Sequence, residues 1–148
     1  MRIYLDVCAL NRPFDDQTQD RIHLESEAVL AILARSMDEP EWIVLGSDTV
    51  DYEISKIPDP LKRHKVMFLA GYAGERVVME EAIGARAKEL QSLGFAPLDS
   101  LHLACAEKGN AHIFLTTDDS VLKKSSRHGK KLKTQVKNPL PWLMEKMK

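Results

Sequence analysis

The sequence predicts an α/β fold: a three-layer α/β/α sandwich built on a mainly parallel sheet of four to five strands. Two observations carry this. Four short runs are apolar almost throughout rather than alternating, the habit of strands covered on both faces of a parallel sheet. Longer amphipathic segments separate them, and strands alternating with helices give a sheet whose right-handed crossovers place helices on both faces.

The strand runs are residues 2–6 (RIYLD), 42–46 (WIVLG), 76–79 (RVVM) and 112–116 (HIFLT), with a weaker fifth near 134–137. Residues 20–36 make the first long helix, with Ile22, Val29 and Leu33 on one face and Glu25, Glu27 and Arg35 off it. Val66, Leu69, Ala70 and Ala73 keep the i, i+3, i+4, i+7 spacing of a core-packed helix, and Ile83, Ala87 and Leu90 share one face. Residues 98–107 are apolar over most of their circumference, leaving Ser100 and Glu107 to face water. Asn138-Pro-Leu-Pro-Trp142 starts a last short helix that Trp142 and Leu143 dock. Two consecutive helices precede the fourth strand. Only a steep crossing at Gly94-Phe95-Ala96-Pro97 keeps Asp99 on the same sheet edge as Asp6.

With 148 residues, 44% hydrophobic and 29% charged, the chain is expected to form a single domain over 1–148, large enough to bury a core without staples. Cys8 and Cys105 form no C-x-x-C pair, which excludes a zinc finger and a disulfide scaffold and leads to the expectation of a reducing, cytoplasmic setting. No apolar segment suits a signal peptide or a membrane span, so no membrane is expected among the partners. Charge is uneven. Residues 1–119 carry 12 Lys+Arg against 21 Asp+Glu, whereas the basic C-terminal segment 120–148 carries 9 against 1. That segment, chiefly 123–137, is suited to meet a polyanion, or is simply a solvated surface.

In open parallel sheets ligands bind at the carboxyl ends of the strands. Acids stand there: Asp6 ends the first run, Glu53 falls in the second turn of a helix capped by Ser47, Asp99 opens the apolar helix, and Asp118 and Asp119 follow the fourth run. Singly, Asp99 can complement a helix dipole, and Asp118 or Asp119 can cap the next helix. Asp6 is different, since an acid among apolar neighbours is costly unless something binds it. Two unit charges about 4 Å apart repel by about 4 kcal/mol at an effective dielectric of 20, so converging carboxylates need a cation. All-oxygen ligands select Mg²⁺ or Mn²⁺ over Zn²⁺. An open acidic site with such an ion is best suited to phosphodiester hydrolysis.

The ordered set Ile-Tyr-Leu-Asp6, Ser47-Asp48 followed by Glu53, Leu98-Asp99-Ser100-Leu101-His102-Leu103-Ala104 and Leu115-Thr116-Thr117-Asp118 resembles the PIN domain family, including the toxin nucleases of VapBC-type toxin–antitoxin pairs. The similarity runs from Arg2 to about Lys123. It implies a PIN-like fold with Asp99 beside Asp6, and a Mg²⁺- or Mn²⁺-dependent endoribonuclease acting on single-stranded RNA. Asp6, Glu53, Asp99 and Asp118 would be the catalytic and metal-site acids, with Thr116 a supporting hydroxyl and Asp119 outside the site. A cognate antitoxin and a homodimer are the implied partners, with Leu61, Phe68 and Tyr72 as candidates for the dimer contact. The insert from Cys8 to Asp16 departs from many members; its Arg12 is a candidate RNA contact or packs the mouth of the site. Lys123 and Lys124 would draw RNA to an otherwise acidic body. Cys8 has no neighbouring histidine and reads as a small buried thiol. His102, at i+3 from Asp99, either orients that carboxylate or is simply packed and hydrogen-bonded.

Two other functions compete. A catalytically weak PIN-fold module would bind RNA or protein without rapid turnover. A phosphatase using a sheet-end aspartate would want a second acid two residues after Asp6, where Cys8 stands.

Overall fold

The computed structural model describes residues 1–148. Five strands, β1 (Arg2–Leu5), β2 (Ile43–Ser47), β3 (Glu75–Val77), β4 (Ile113–Leu115) and β5 (Gln135–Lys137), form one sheet in the order β3-β2-β1-β4-β5. Every pairing is parallel. All five runs are strands, three of them trimmed by a residue or two and two, β2 and β3, displaced by one residue at an end. Eight helices complete the three-layer sandwich: α1 (Val7–Asn11), α2 (Asp20–Asp38), α3 (Asp48–Ser55), α4 (Pro60–Ala70), α5 (Glu81–Ser92), α6 (Pro97–Lys108), α7 (Asp119–Arg127) and α8 (Pro139–Lys146). No helix is long and apolar enough to cross a membrane.

Burial explains why β1 and β4 lie at the centre. Ile3, Tyr4, Leu5, Ile113, Phe114 and Leu115 are all enclosed, and the Tyr4 ring stacks on Phe114 with centroids 5.2 Å apart. Trp142 of α8 docks against Trp42 at 5.4 Å, while the Arg35 guanidinium covers the Trp42 ring at 4.2 Å. The α5–α6 connection uses Gly94 in the left-handed region (φ +106°) and Pro97 at the first position of α6.

Three sequence readings need correction. Glu25 lies off the apolar stripe of α2, yet it is buried: it accepts hydrogen bonds from Arg12 Nε (2.8 Å), Arg21 Nε (3.2 Å) and the Asn138 side-chain amide. Ser100 is also fully enclosed, its hydroxyl facing the Phe95 carbonyl at 3.4 Å. Glu107 is covered rather than solvated, because Arg86 of α5 grips it through Nε (2.7 Å) and Nη2 (3.2 Å).

Candidate active site

The strand order reverses between β1 and β4. In a doubly wound sheet, that switch point opens a crevice at the carboxyl ends of the strands. Asp6 follows β1 directly, and its backbone N–H donates to the Leu115 carbonyl of β4 (3.2 Å). Its carboxylate caps α1 by accepting from Ala9 N–H (2.9 Å). Burial pushes the Asp6 carboxyl up to about 6, while the Thr116 hydroxyl and the Ala9 amide hold it down. Thr116 is buried in turn and accepts from the Asp118 backbone N–H (3.1 Å), bracing the turn that leaves β4.

Asp118 caps α7, accepting from Ser120 N–H (2.8 Å) and Val121 N–H (3.3 Å). Asp99 lies in the first turn of α6. Burial raises its carboxyl, Asp118 and Glu53 raise it further, and Lys124 opposes them. Glu53 reaches the group from the second turn of α3, which Ser47 caps by accepting from Val50 N–H (3.0 Å), as its sequence position predicts. Burial, followed by the charges of Asp6, Glu53, Asp118 and Asp99, drives the Cys8 thiol well above its ordinary range. A thiol so disfavoured as thiolate is no nucleophile. The charges of all four acids are thus felt at Cys8. As the side chains stand, however, no three His, Cys, Asp or Glu groups converge closely enough to hold an ion.

The neighbouring residues divide. A cavity of about 210 Å³ beside the acids is lined by Cys8, Asn11, Arg12, Asp15, Thr117 and Asp118. Arg12 faces it, but its guanidinium is engaged by Glu25 and by Asp15 (3.3 Å), so it braces the insert. Lys124 acts on Asp99, and Lys123 on Asp119. Asp119 itself is paired bidentately with Arg21 at 2.7 and 2.9 Å. The basic segment is not one patch. The Lys131 carbonyl accepts from Arg86, and the Lys133 amide donates to Glu107, eight residues along α6 from Asp99 and so roughly 12 Å along its axis.

The sequence reading missed a buried chain of polar groups. His102 Nε2 stands 2.6 Å from Glu53 Oε1 and its Nδ1 2.7 Å from the Tyr4 hydroxyl, which lies 2.8 Å from Ser47 Oγ. His102 thus reaches Glu53 rather than Asp99. One signal was present: a tyrosine inside an apolar central strand needs a partner for its hydroxyl.

No family model and no curated protein matches the chain. Solved structures do. FitAcB from Neisseria gonorrhoeae superposes with a TM-score of 0.56 at 16% identity, covering 93% of this chain and 97% of that one. VapBC2 from Rickettsia felis, bound to a DNA fragment from their promoter, gives 0.56 at 16% identity over 93% and 98%. VapBC-1 from nontypeable Haemophilus influenzae gives 0.59 at 11% identity over 94% and 98%. At these identities the likeness concerns the fold, and it extends over nearly the whole chain.

Proposed function

We propose that this protein is a divalent-metal-dependent endoribonuclease that cleaves single-stranded RNA, acting as the toxin of a toxin–antitoxin pair. The observation that supports the reading is that the charges of Asp6, Glu53, Asp99 and Asp118 all act on one half-buried thiol, Cys8, that follows β1 at the sheet's switch point. The residues suit a hard divalent ion in kind: the four acids offer only oxygen donors. Asp6 and Asp99 are both raised by burial, a cost that a bound cation would offset. Mg²⁺ or Mn²⁺ held there would activate the attacking water and neutralise charge on the leaving oxygen. The chain's own part is to keep Asp6 oriented through Thr116 and Ala9, and to draw the RNA backbone toward the acids with Lys123 and Lys124. The shared fold with VapBC and FitAcB structures supports a cognate antitoxin partner. Leu61 and Phe68, more than 60% exposed on α4, support self-association.

The test is cleavage of a pool of single-stranded RNAs by the purified protein with Mg²⁺, with Mn²⁺ and in EDTA. Ion-dependent internal cuts are expected. Cleavage that survives EDTA, or none with either ion, would overturn the proposal. The second outcome is what a binding module predicts, a reading favoured by the failure of any three acids to converge. In that case RNA would be retained uncut.

A further inference from the structure

The ring of polar contacts around Glu53 closes on itself. Ser47 caps α3, α3 carries Glu53, Glu53 meets His102, and His102 returns through the Tyr4 hydroxyl to Ser47. Tyr4, Ser47 and His102 are each no more than 1% exposed, so water does not complete the ring. Its members come from β1, β2, α3 and α6, four of the elements that carry or flank the acids. A carboxylate acceptor requires a proton on Nε2. In that Nε2–H tautomer Nδ1 is left to accept from Tyr4, and Ser47, which accepts from Val50, keeps its own proton to donate to the Tyr4 oxygen. Every donor in the chain is thereby matched with an acceptor.

Resting on the reading of Glu53 as a metal-site acid, we propose that Tyr4 and His102 are positioning residues: the Tyr4 hydroxyl holds His102 in its Nε2–H tautomer, and His102 sets where the Glu53 carboxylate stands relative to Asp6, Asp99 and Asp118. Glu53 and Asp99 both stand on helices that neither β1 nor β4 leads into, and of the two it is Glu53 that His102 meets, so its placement depends on this contact. Partners of this kind, removed from metal sites, typically cost about 10–100-fold in metal affinity or activity.

The test uses the full chain and Mn²⁺, followed by electron paramagnetic resonance, together with long-range ¹H–¹⁵N spectra of the imidazoles at fixed pH. Tyr4→Phe is the main variant, since its ring can keep its stack on Phe114 while losing only the hydroxyl. The expected results are a single Nε2–H tautomer for His102 in the parent, mixed tautomers in Tyr4→Phe, and a Mn²⁺ affinity lowered by about 10–100-fold. On RNA, kcat should fall with little change in KM. His102→Gln, which retains an N–H donor, should recover much of the affinity that His102→Leu loses. Parent-like Mn²⁺ affinity in both Tyr4→Phe and His102→Leu would overturn the inference while leaving the metal site standing. A parent protein that binds no Mn²⁺ would overturn the metal reading itself, and the positioning role with it.

Discussion

Glu25→Gln tests the account of the insert that packs beside Asp6. In the structure the Glu25 carboxylate is nearly sealed, with its side chain 2% exposed, and Arg12, its closest cation, is only 19% exposed. At 2.8 Å and an effective dielectric of 20, their gross attraction is about 6 kcal/mol, largely offset by the desolvation of both ions. Removing one partner leaves the other charge buried, and this costs about 3–5 kcal/mol in comparable pairs. Arg21 adds no more than about 1 kcal/mol, because it is half exposed. Gln keeps the shape but turns an amide N–H₂ toward guanidinium donors. A loss of about 3 kcal/mol is therefore expected, which for a chain of this size lowers Tm by about 6–12 °C. Urea unfolding should show a lower midpoint at unchanged slope. Replacing both members, as Arg12→Leu with Glu25→Leu, should restore most of the stability, since an apolar pair needs no counterion. A loss below about 1 kcal/mol in Glu25→Gln would refute the buried-pair reasoning.

Asp6→Asn should stabilise the protein in EDTA at pH 7.5. Because burial raises the Asp6 carboxyl to about 6, the folded state takes up a proton that the unfolded state lacks between about pH 4 and 6; this term grows as pH falls through 6 and is lost as pH rises. The variant's advantage, up to about 3 kcal/mol at pH 7.5, should accordingly vanish near pH 4, as read by melting across pH. The basic segment should divide as the structure divides it. Lys123→Gln with Lys124→Gln should lower the slope of log K against log salt for single-stranded RNA by about 1.4, whereas Lys130, Lys131 and Lys133 changed to Gln should leave it unaltered.

The strands are legible because a parallel sheet covered on both faces demands unbroken apolar runs, and Ile3 to Leu5 and Ile113 to Leu115 meet that demand. The caps are legible for a similar reason, as Ser47, Asp118 and Asn138 are short polar residues placed just before helices. What a one-dimensional pattern does not carry is convergence. Glu25 reads as a surface residue because its burial depends on Arg12, Arg21 and Asn138, and Asn138 is 113 positions away. His102 shares a helix face with Asp99 but turns to Glu53, a choice made by the Tyr4 hydroxyl from another strand. The basic segment reads as continuous because charge is counted along the chain, while the fold carries Lys131 and Lys133 away to Arg86 and Glu107.

Asp99→Asn separates metal-assisted chemistry from helix capping most directly. Asp99 is raised by burial and by the charge of Asp118, so an amide of the same size removes a repelled charge while still suiting the first turn of α6. Two opposite effects are predicted. Mg²⁺- or Mn²⁺-dependent cleavage of single-stranded RNA should fall by orders of magnitude, while Tm measured in EDTA should hold or rise. Ion-dependent cleavage near the parent rate in Asp99→Asn would contradict the assignment of the four acids and make Asp99 a helix-terminus residue.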